Sequence, residues 1–420
     1  MKVLVIGNGG RESAIVRTLS KSSKVSQVFA SPGNVGMLKE AKLLEFKSFQ
    51  DTYNEIVNNR IDLVIVGPEQ YLSEGIVDYL SERKVPVIGP TKQAAMLESS
   101  KVYAKEQMQR YNIPTAEFAS FTSLKDAQNY IKKAKYPLVI KADGLAAGKG
   151  VVIADNYEQA SNALVQMMDE LAFGNAGARV VIEEYLVGWE GSVFAFTDGD
   201  DYKLTIFSQD HKRILDGDLG ANTGGMGAYA PLDLAAPYIQ EIEKSVFQPL
   251  FNGLKKEGVK YQGILYAGMI FTEKGPYVLE YNCRLGDPET QAVLPLLKTD
   301  FIDICEAIDS EQIRHLNLEW SDQYAVNIVA ASQGYPDKYD KGKLITVDPK
   351  LYDIEGVELF YANVAKKDNS DNLYTDGGRV LSLTALAESL DDSIVKAYSA
   401  MDLIHFENMY YRKDIARNRS

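Results

Sequence analysis

A glycine-rich loop between two apolar runs carries two lysines. Residues 137–140 are typical of a buried strand, which leads into KADGLAAGKG at 141–150 before a second apolar run begins at Val151. Small residues let backbone N–H groups approach an anion closely, and lysines add positive charge. No Ser or Thr follows Lys149 and a strand comes next, so the loop is not a P-loop. It predicts a phosphate lid, with a glycine hairpin bearing solvated lysines as the alternative.

A late apolar run presents the side chains that a magnesium ion prefers. Side chains alternate along a strand, so Glu280, Asn282 and Arg284 share one face, while Cys283 faces the apolar side. Carboxylate and amide oxygens suit Mg²⁺, which completes its shell with water and substrate phosphates. Arg284 could stabilise charge on a transferring phosphoryl group. An edge strand with a Glu–Arg ion pair is the alternative.

Residues 179–190 form a third segment, in which an apolar strand ends in acidic residues and a glycine turn. Its backbone could read the edge of an adenine, and Glu190 could accept hydrogen bonds from ribose hydroxyls. Taken alone, the segment is equally typical of an ordinary strand end.

Composition limits the classes of function. A chain of 420 residues is expected to form two to four domains. The net charge of −13 disfavours nucleic-acid binding, and no apolar run reaches the ~20 residues of a membrane helix. Cys283 and Cys305 are the only cysteines, so neither a disulfide framework nor a cysteine zinc site is expected. A reducing, cytoplasmic location fits this composition.

The elements that must position these residues follow from hydrophobic patterning. The first hundred residues alternate strands and helices and predict βαβ units on a parallel sheet, whose ligands bind beyond the carboxyl ends of the strands. A loop at 211–231 is long enough to suggest a function. The other expected elements are strands at 3–6, 63–66, 85–88, 263–271, 276–282 and 324–331, and helices at 73–83, 102–111, 239–256 and 391–406.

The order of lysine-bearing lid, acidic hinge and Glu-x-Asn strand resembles the ATP-grasp superfamily, in which two lobes clamp ATP. Longer motifs are similar to those of the phosphoribosylamine–glycine ligase family, and they run from the first residues to the tail. They are GNGGRE at 7–12, KADGLAAGKG at 141–150, QDHKR at 209–213, NTGGMGAY at 222–229, GDPETQ at 286–291 and GGRV at 377–380.

The resemblance implies a reaction and an architecture. ATP, glycine and 5-phosphoribosylamine would give glycinamide ribonucleotide, ADP and phosphate through glycyl phosphate, in purine biosynthesis. The fold class would be multidomain α/β and α+β, with a parallel N-terminal α/β domain at 1–100, a two-lobed ATP-grasp core at 101–323 and a small C-terminal α+β domain at 324–420. A mobile lid lobe would lie at 119–187.

The resemblance also implies roles for individual residues. The ATP-binding set is Lys101, Lys141, Gly144, Gly148, Lys149, Gly150, Glu183, Leu186 and Glu190. Mg²⁺ or Mn²⁺ would be held by Glu280 and Asn282. Arg284 would sit at the transferred phosphoryl group, and Asp210, Asp287 and the loop with Asn222, Gly224 and Gly225 would hold glycine. The set expected to bind the ribosylamine is Gly9, Gly10, Glu69, Gly378 and Arg379. A monomer is expected, with a homodimer as the alternative.

Four positions depart from the family pattern. Ser13 stands where the family has His, Ala221 replaces a Pro, Leu285 replaces a Phe and Asp337 replaces a Gly. A Ser hydroxyl can still form hydrogen bonds, but it carries no charge near neutral pH. Because Ser13 is expected beside the ribosylamine, this substitution bears on the N-terminal contact more than on the reaction.

The sequence disfavours three rival classes of function. Another ATP-grasp ligase of purine synthesis is disfavoured by the 222–229 and 286–291 motifs. A nicotinamide dehydrogenase would need a glycine where Glu12 stands. A non-catalytic binding protein would not need an intact Glu280, Asn282 and Lys141.

Overall fold

The computed structural model describes residues 1–145, 150–170, 177–367 and 371–417. The predicted ATP-binding residues Gly148 and Lys149 lie outside these described residues. Within them, no helix is long and apolar enough to cross a membrane.

The N-terminal part is a parallel sheet with strand order β3-β2-β1-β4-β5 and helices packed on it. Its central strands β1 and β4 are apolar and buried, with residues such as Leu4 and Val64 fully buried, as is typical of a parallel sheet covered on both faces. The predicted helix at 73–83 is divided in two at Gly75, whose φ of 95° ends one helix and begins the next. The elements are β1 Lys2–Gly7, α1 Gly10–Ser20, β2 Gln27–Pro32, β3 Ala41–Leu43, α2 Phe49–Asn59, β4 Leu63–Val66, α3 Glu69–Glu74, α4 Ile76–Ser81, β5 Val87–Ile88 and α5 Met96–Ser99.

A second, antiparallel sheet with order β6-β9-β7-β8 follows. Two helices, α7 and α8, cover one face of it, and their apolar residues form a core cluster separate from the rest of the molecule. This sheet occupies the segment predicted as a lid lobe. The elements are α6 Lys101–Arg110, β6 Phe118–Phe121, α7 Leu124–Ile131, β7 Leu138–Ala142, β8 Val151–Ala154, α8 Tyr157–Met168 and β9 Val180–Glu184.

The central part contains a sheet with order β11-β10-β16-β17, in which β16 and β17 are the long hairpin that the sequence predicts. A bulge between Gly268 and Met269 shifts the register just before Glu280, so that Glu280 lies opposite Gly268. The helix predicted at 239–256 spans that range, with a π-helical stretch at Glu243–Phe247 between α9 and α10. The elements are β10 Trp189–Thr197, β11 Tyr202–Leu204, β12 Gln209–Asp210, β13 Arg213–Leu215, β14 Leu219–Asn222, β15 Gly227–Ala230, α9 Ile239–Ile242, α10 Gln248–Lys256, β16 Gly263–Thr272 and β17 Gly275–Asn282.

The C-terminal part shares a sheet with the centre. Its order β12-β15-β18-β23-β20 joins two strands from before residue 231 to three from after residue 323. A smaller sheet has the order β21-β22-β19-β24. The elements are α11 Glu289–Val293, α12 Phe301–Asp309, β18 Tyr324–Ala331, β19 Leu344–Val347, β20 Val357–Tyr361, β21 Val364–Lys366, β22 Leu373–Thr375, β23 Arg379–Ala387, α13 Leu390–Met401 and β24 Ile404–His405.

Two sequence-based expectations need correction. The segment 211–231 is not an irregular loop, because it holds the β13–β14 hairpin and strand β15. The helix predicted at 391–406 ends at Met401, and Ile404–His405 pairs with β19 instead. The boundary predicted at 323/324 stays a prediction, and the β15–β18 pairing crosses it.

Candidate active site

Two predicted phosphate-binding lysines lie beside the glycine loop. Lys101 begins α6, and its Nζ donates a hydrogen bond to the Gly144 carbonyl oxygen at 2.8 Å. Lys141 lies near the carboxyl end of β7, and its Nζ donates a hydrogen bond to the Leu279 carbonyl oxygen at 3.2 Å. Gly144 has a φ of 147°, which L side chains rarely adopt. Gly150 closes the loop by accepting a hydrogen bond from the Ala142 N–H at 2.8 Å.

The Glu183 carboxylate lies between two buried lysines. Its Oε1 is 2.9 Å from Lys141 Nζ and its Oε2 is 2.9 Å from Lys105 Nζ. Burial alone would raise the pKa of Glu183, but Lys141 and Lys105 hold it below its usual value. Burial lowers the pKa of Lys105 to about 8. In this structure the carboxylate therefore belongs to the lysines, and its predicted contact with adenosine stays a prediction.

Glu280 and Asn282 fit the divalent cation that the sequence analysis expects. Both stand at the end of β17 and are half-buried. Among the described residues, the Glu280 carboxylate makes neither a hydrogen bond nor an ion pair, so its oxygens are available to a ligand. Burial alone would raise its pKa, but Lys212, Lys141 and Lys101 lower it and keep the group ionised. Asn282 Oδ1 accepts a hydrogen bond from Arg284 at 3.2 Å and keeps a second lone pair. No cluster of three or more acidic, His or Cys side chains that could hold a metal is found in the described part of the chain.

An acidic cluster with one lysine lies next to this pair. Lys212 Nζ is 2.8 Å from Glu190 and 4.0 Å from Asp210. Burial, opposed by Lys212 and assisted by Glu289, raises the pKa of Asp210 to about 7. Burial also raises the pKa of Glu289.

Arg284 is held by two carboxylates from outside its own strand. Its Nη2 is 2.7 Å from Glu98 Oε1 and its Nε is 3.2 Å from Glu69 Oε2. Burial alone would raise the pKa of Glu69, but Arg284 and Arg11 lower it to about 2. The structure therefore places Glu69 beside Arg284, and its predicted contact with the ribosylamine stays a prediction.

A cavity of about 60 Å³ lies where the N-terminal, central and C-terminal parts meet. Arg379 Nη2 is 3.3 Å from Asp287 Oδ2, and its Nη1 donates to the Gly224 carbonyl oxygen at 2.5 Å. Burial alone would raise the pKa of Asp287, but Arg379 and Arg11 lower it. Asp287 thus lies with the residues predicted for the ribosylamine. The residues lining the cavity are Gly9, Gly10, Asp287, Gln291, Val329, Ala362, Asn363, Arg379, Leu381 and Ser382.

The remaining predicted glycines pack tightly around this cavity. A Cβ on Gly10 would meet Gln291 Nε2 at 2.5 Å, and one on Gly225 would meet Pro288 at 2.3 Å. Gly378 has no room for a Cβ either, since one would lie 2.2 Å from the Tyr335 ring. Asn222 ends β14 and pairs with β13.

Ser13 lines a second cavity, of about 120 Å³, together with Arg17, Tyr352 and Tyr361. The expectation that Ser13 lies beside the ribosylamine stays a prediction. Ser13 lies one helical turn along α1 from Gly9, and its N–H donates to the Gly9 carbonyl oxygen at 3.0 Å.

Sequence reasoning missed four charged residues that hold the site together. Lys105 and Glu98 were assigned no role, although Lys105 stands four positions after Lys101 and shares its helix face. Lys212 and Glu289 were quoted within motifs without a function of their own. Leu186, which is predicted to bind ATP, is half-buried just beyond β9. Its contact with adenosine stays a prediction.

The fold and the site together define the class. A lid sheet bearing Lys141 faces a second sheet bearing Glu280, as in enzymes that clamp ATP between two lobes. A biotin carboxylase from Campylobacter jejuni, solved with a β,γ-ATP ligand, has a TM-score of 0.72 at 15% identity over 97% of this chain and 92% of its own, which shows a shared fold. A family model of an ATP-grasp domain matches residues 99–290, so the class is that of the ATP-grasp enzymes, which use ATP with a divalent metal.

The particular family follows from three matches in chain order. Family models described as phosphoribosylglycinamide synthetase match residues 1–98 (N domain), 99–290 (ATP-grasp domain) and 325–418 (C domain). The chain belongs to this family and is a carbon–nitrogen ligase of purine biosynthesis. The predicted fold class and resemblance are thereby confirmed, and the rival classes of function are set aside.

Relatives that match nearly the whole chain support the same family. A protein named phosphoribosylamine–glycine ligase from Chlorobaculum tepidum is 46% identical over 99% of both chains. Its namesake from Caldanaerobacter subterraneus is 44% identical over 99% of both. A crystal structure of a phosphoribosylamine–glycine ligase from Thermotoga maritima has a TM-score of 0.85 at 35% identity, covering 99% of this chain and 100% of the other.

Proposed function

We propose that this chain joins glycine to 5-phosphoribosylamine with ATP and that the residues around Glu280 carry the phosphoryl transfer. The single observation that carries this proposal is the placement of two lysines between the glycine loop and the strand that bears Glu280: Lys101 Nζ donates to the Gly144 carbonyl oxygen, and Lys141 Nζ donates to the Leu279 carbonyl oxygen. Such a cluster suits a polyphosphate whose charge must be neutralised in a site shielded from water. Lys101 and Lys141 contact the phosphates, and Leu186 and Glu190 contact the adenosine.

In the first step, a glycine carboxylate oxygen bonds to the γ-phosphorus of ATP and the bond to the β-phosphate oxygen breaks. The products are glycyl phosphate and ADP. Little covalent chemistry is asked of the protein, so its task is positioning and charge neutralisation. Asp210 holds the glycine ammonium, and Arg284 lies beside the transferred phosphoryl group. A Mg²⁺ or Mn²⁺ ion held by Glu280 and Asn282 would supply further neutralisation of phosphate charge.

In the second step, the ribosylamine nitrogen bonds to the glycyl carbonyl carbon, phosphate leaves, and the nitrogen loses one proton. The amide formed is glycinamide ribonucleotide. The cavity between the Gly9–Gly10 turn, Asp287 and Arg379 holds the ribosylamine. Its position at the meeting of all three parts of the chain supports this assignment, because the amine must reach an acyl phosphate formed in the centre.

Phosphate release tests the proposal. Purified protein with ATP and Mg²⁺ is expected to release phosphate only when glycine and freshly generated 5-phosphoribosylamine are both present, with glycinamide ribonucleotide detected by mass spectrometry. Phosphate release that needs neither substrate, or a folded protein that binds ATP without turnover, would contradict it. Replacing Mg²⁺ with Mn²⁺ in the same assay ranks the two metals.

The proposal extends to the oligomeric state and the cellular location of the protein. We expect a monomer, which light scattering after gel filtration would distinguish from a homodimer. Cys283 and Cys305 are both free and buried, which fits the proposed cytoplasmic location.

A further inference from the structure

Three charged side chains, Lys105, Glu183 and Lys141, form a buried triad beneath the glycine loop. Their side chains are 3%, 2% and 9% exposed, so water screens their charges weakly. Each oxygen of the Glu183 carboxylate lies 2.9 Å from the Nζ of one of the two lysines. The triad therefore consists of two cations that share one anion.

The two lysines link the lid sheet to the strand that bears Glu280. Lys105 Nζ donates to Thr115 Oγ1 at 2.7 Å, and Thr115 Oγ1 donates to the Val278 carbonyl oxygen at 2.7 Å. Lys141 Nζ reaches the next carbonyl oxygen along β17, that of Leu279. Lys105 comes from helix α6 and Lys141 from strand β7, so the triad joins three elements.

The positions of the two lysines differ in one respect. Lys141 stands at the end of β7 beside the glycine loop, where a bound phosphate would compete with Glu183 for its ammonium group. Lys105 is packed under the Phe118 ring and bonded to Thr115, away from the loop. If Lys141 were the sole partner of Glu183, its transfer to a phosphate would leave a buried carboxylate without a counter-ion, which is strongly unfavourable.

We propose that Lys105 is a positioning residue that serves as the permanent counter-ion of Glu183 and thereby leaves Lys141 available to the phosphates of ATP. This inference rests on the proposed function, because it takes Lys141 as a phosphate contact. Lys105 itself touches neither ATP nor glycine.

A pair of ligands that differ only in phosphate separates positioning from general damage. Lys105→Met is expected to weaken MgATP binding about tenfold, the scale of one charge-assisted hydrogen bond, with no change in adenosine binding, both measured by calorimetry. The matched control is Lys255→Met, which removes an exposed lysine paired with Asp200 and should change neither affinity. Equal weakening of ATP and adenosine in Lys105→Met, or wild-type ATP affinity, would overturn the inference.

Removing the shared anion provides the second test. In Glu183→Gln, Lys141 needs no release, so adding Lys105→Met in that background should leave ATP affinity within about twofold of Glu183→Gln alone. A further loss as large as in the wild-type background would show that Lys105 acts independently of Glu183 and would overturn the inference. This comparison holds even if Lys105→Met alone fails to fold, because the double variant buries no unpaired charge at this site except Lys141.

A charge-retaining variant and a separate variant of Lys141 complete the design. Lys105→Arg keeps the counter-ion and should bind ATP within about twofold of wild type, whereas Lys105→Met does not. Lys141→Met reports on the proposed function alone. If it leaves ATP affinity unchanged, the phosphate role of Lys141 is wrong, whatever the Lys105 variants show.

Discussion

Glu280 and Arg284 lie on the same side of the chain near the end of β17, yet their surroundings differ. Arg284 is held by Glu69 and Glu98, whereas Glu280 is surrounded by cations without an ion pair of its own among the described residues. A carboxylate without an ion pair of its own is available to a ligand. Arg284 is therefore held in place by two carboxylates, whereas Glu280 is available to a ligand.

Glu280→Gln is expected to lower kcat ~100-fold or more, because a metal-assisted step contributes several kcal/mol. The melting temperature should change little, since no ion pair is lost. Steady-state kinetics and thermal unfolding measure both effects. Glu273→Gln, an exposed change in the turn of the same hairpin, is the control. Near-normal turnover in Glu280→Gln would remove this residue from the metal site.

Arg379→Met is expected to raise the KM for 5-phosphoribosylamine about tenfold, since the substrate cavity loses a charged hydrogen-bond donor. The KM for ATP should stay within about twofold because Lys101 and Lys141 are unaffected. The exposed Lys366→Met, on strand β21 of the smaller C-terminal sheet, provides a matched change. A parallel rise in both KM values would indicate general disruption of the interface between the parts of the chain.

At the scale of elements, the β13–β14 hairpin is fastened by the C-terminal segment. Arg412 is fully buried and reaches Asp218 at 2.8 Å, while Asp414 accepts the Gly217 N–H at 2.7 Å. His211, just before the hairpin, accepts a hydrogen bond from the Ala416 N–H at 3.3 Å. These contacts hold the hairpin that leads to Asn222 and the following glycines.

Burial and the neighbouring Arg412 lower the pKa of His211 to about 4, against 6.5 in an unfolded chain. As pH falls through 6.5, His211 therefore binds a proton in the unfolded state but not in the folded state. From pH 7 to pH 5 this linkage should remove about 2 kcal/mol of stability. Chemical denaturation at both values measures it, and His211→Gln should lose that part of the pH dependence.

Comparison of wild type with His211→Gln is needed because Asp210, with a pKa of about 7, contributes with the opposite sign in the same range. An identical pH dependence in the two proteins would show that His211 is not held neutral in the folded state.

The local sequence pattern predicted the bounds of helices and strands better than it predicted which side chains contact each other. The strands at 63–66 and 324–331 were predicted with their observed bounds, because apolar β-branched runs end there in glycine or polar residues. Glu183 and Lys105 could not be paired from pattern, since a charge at a strand or helix position is usually solvated. The cavity that Ser13 lines could not be predicted either, because helix position alone does not show which cavity a side chain faces.

At the scale of the whole molecule, the central and C-terminal parts form one sheet. Ala228 of β15 pairs with Asn327 of β18, and α11 packs against both strands. Because this pairing connects segments far apart in sequence, hydrophobic periodicity could not reveal it. It also explains how the C-terminal Arg379 reaches the Gly224 carbonyl oxygen at the centre of the site.

A fragment ending at residue 323 is expected not to fold in its central part. It would lose β18 and expose the edge of β15 together with the buried Ala228 and Ala230. Gel filtration and circular dichroism of the fragment measure this. A soluble fragment that binds glycine and ATP like the full chain would contradict the expectation and support an independent C-terminal domain.

The pairing of β15 with β18 has a consequence for protein synthesis. The lid sheet is complete once β9 has left the ribosome, and its contacts are local, so it can form early. The segment with Asn222 and Gly225 must wait for a strand made much later, and for Arg379 and Arg412 after that. An unfinished chain can therefore fold its lid sheet before it can complete the site that positions the amine, and we expect the lid sheet of nascent chains to resist proteolysis before the β13–β14 hairpin does.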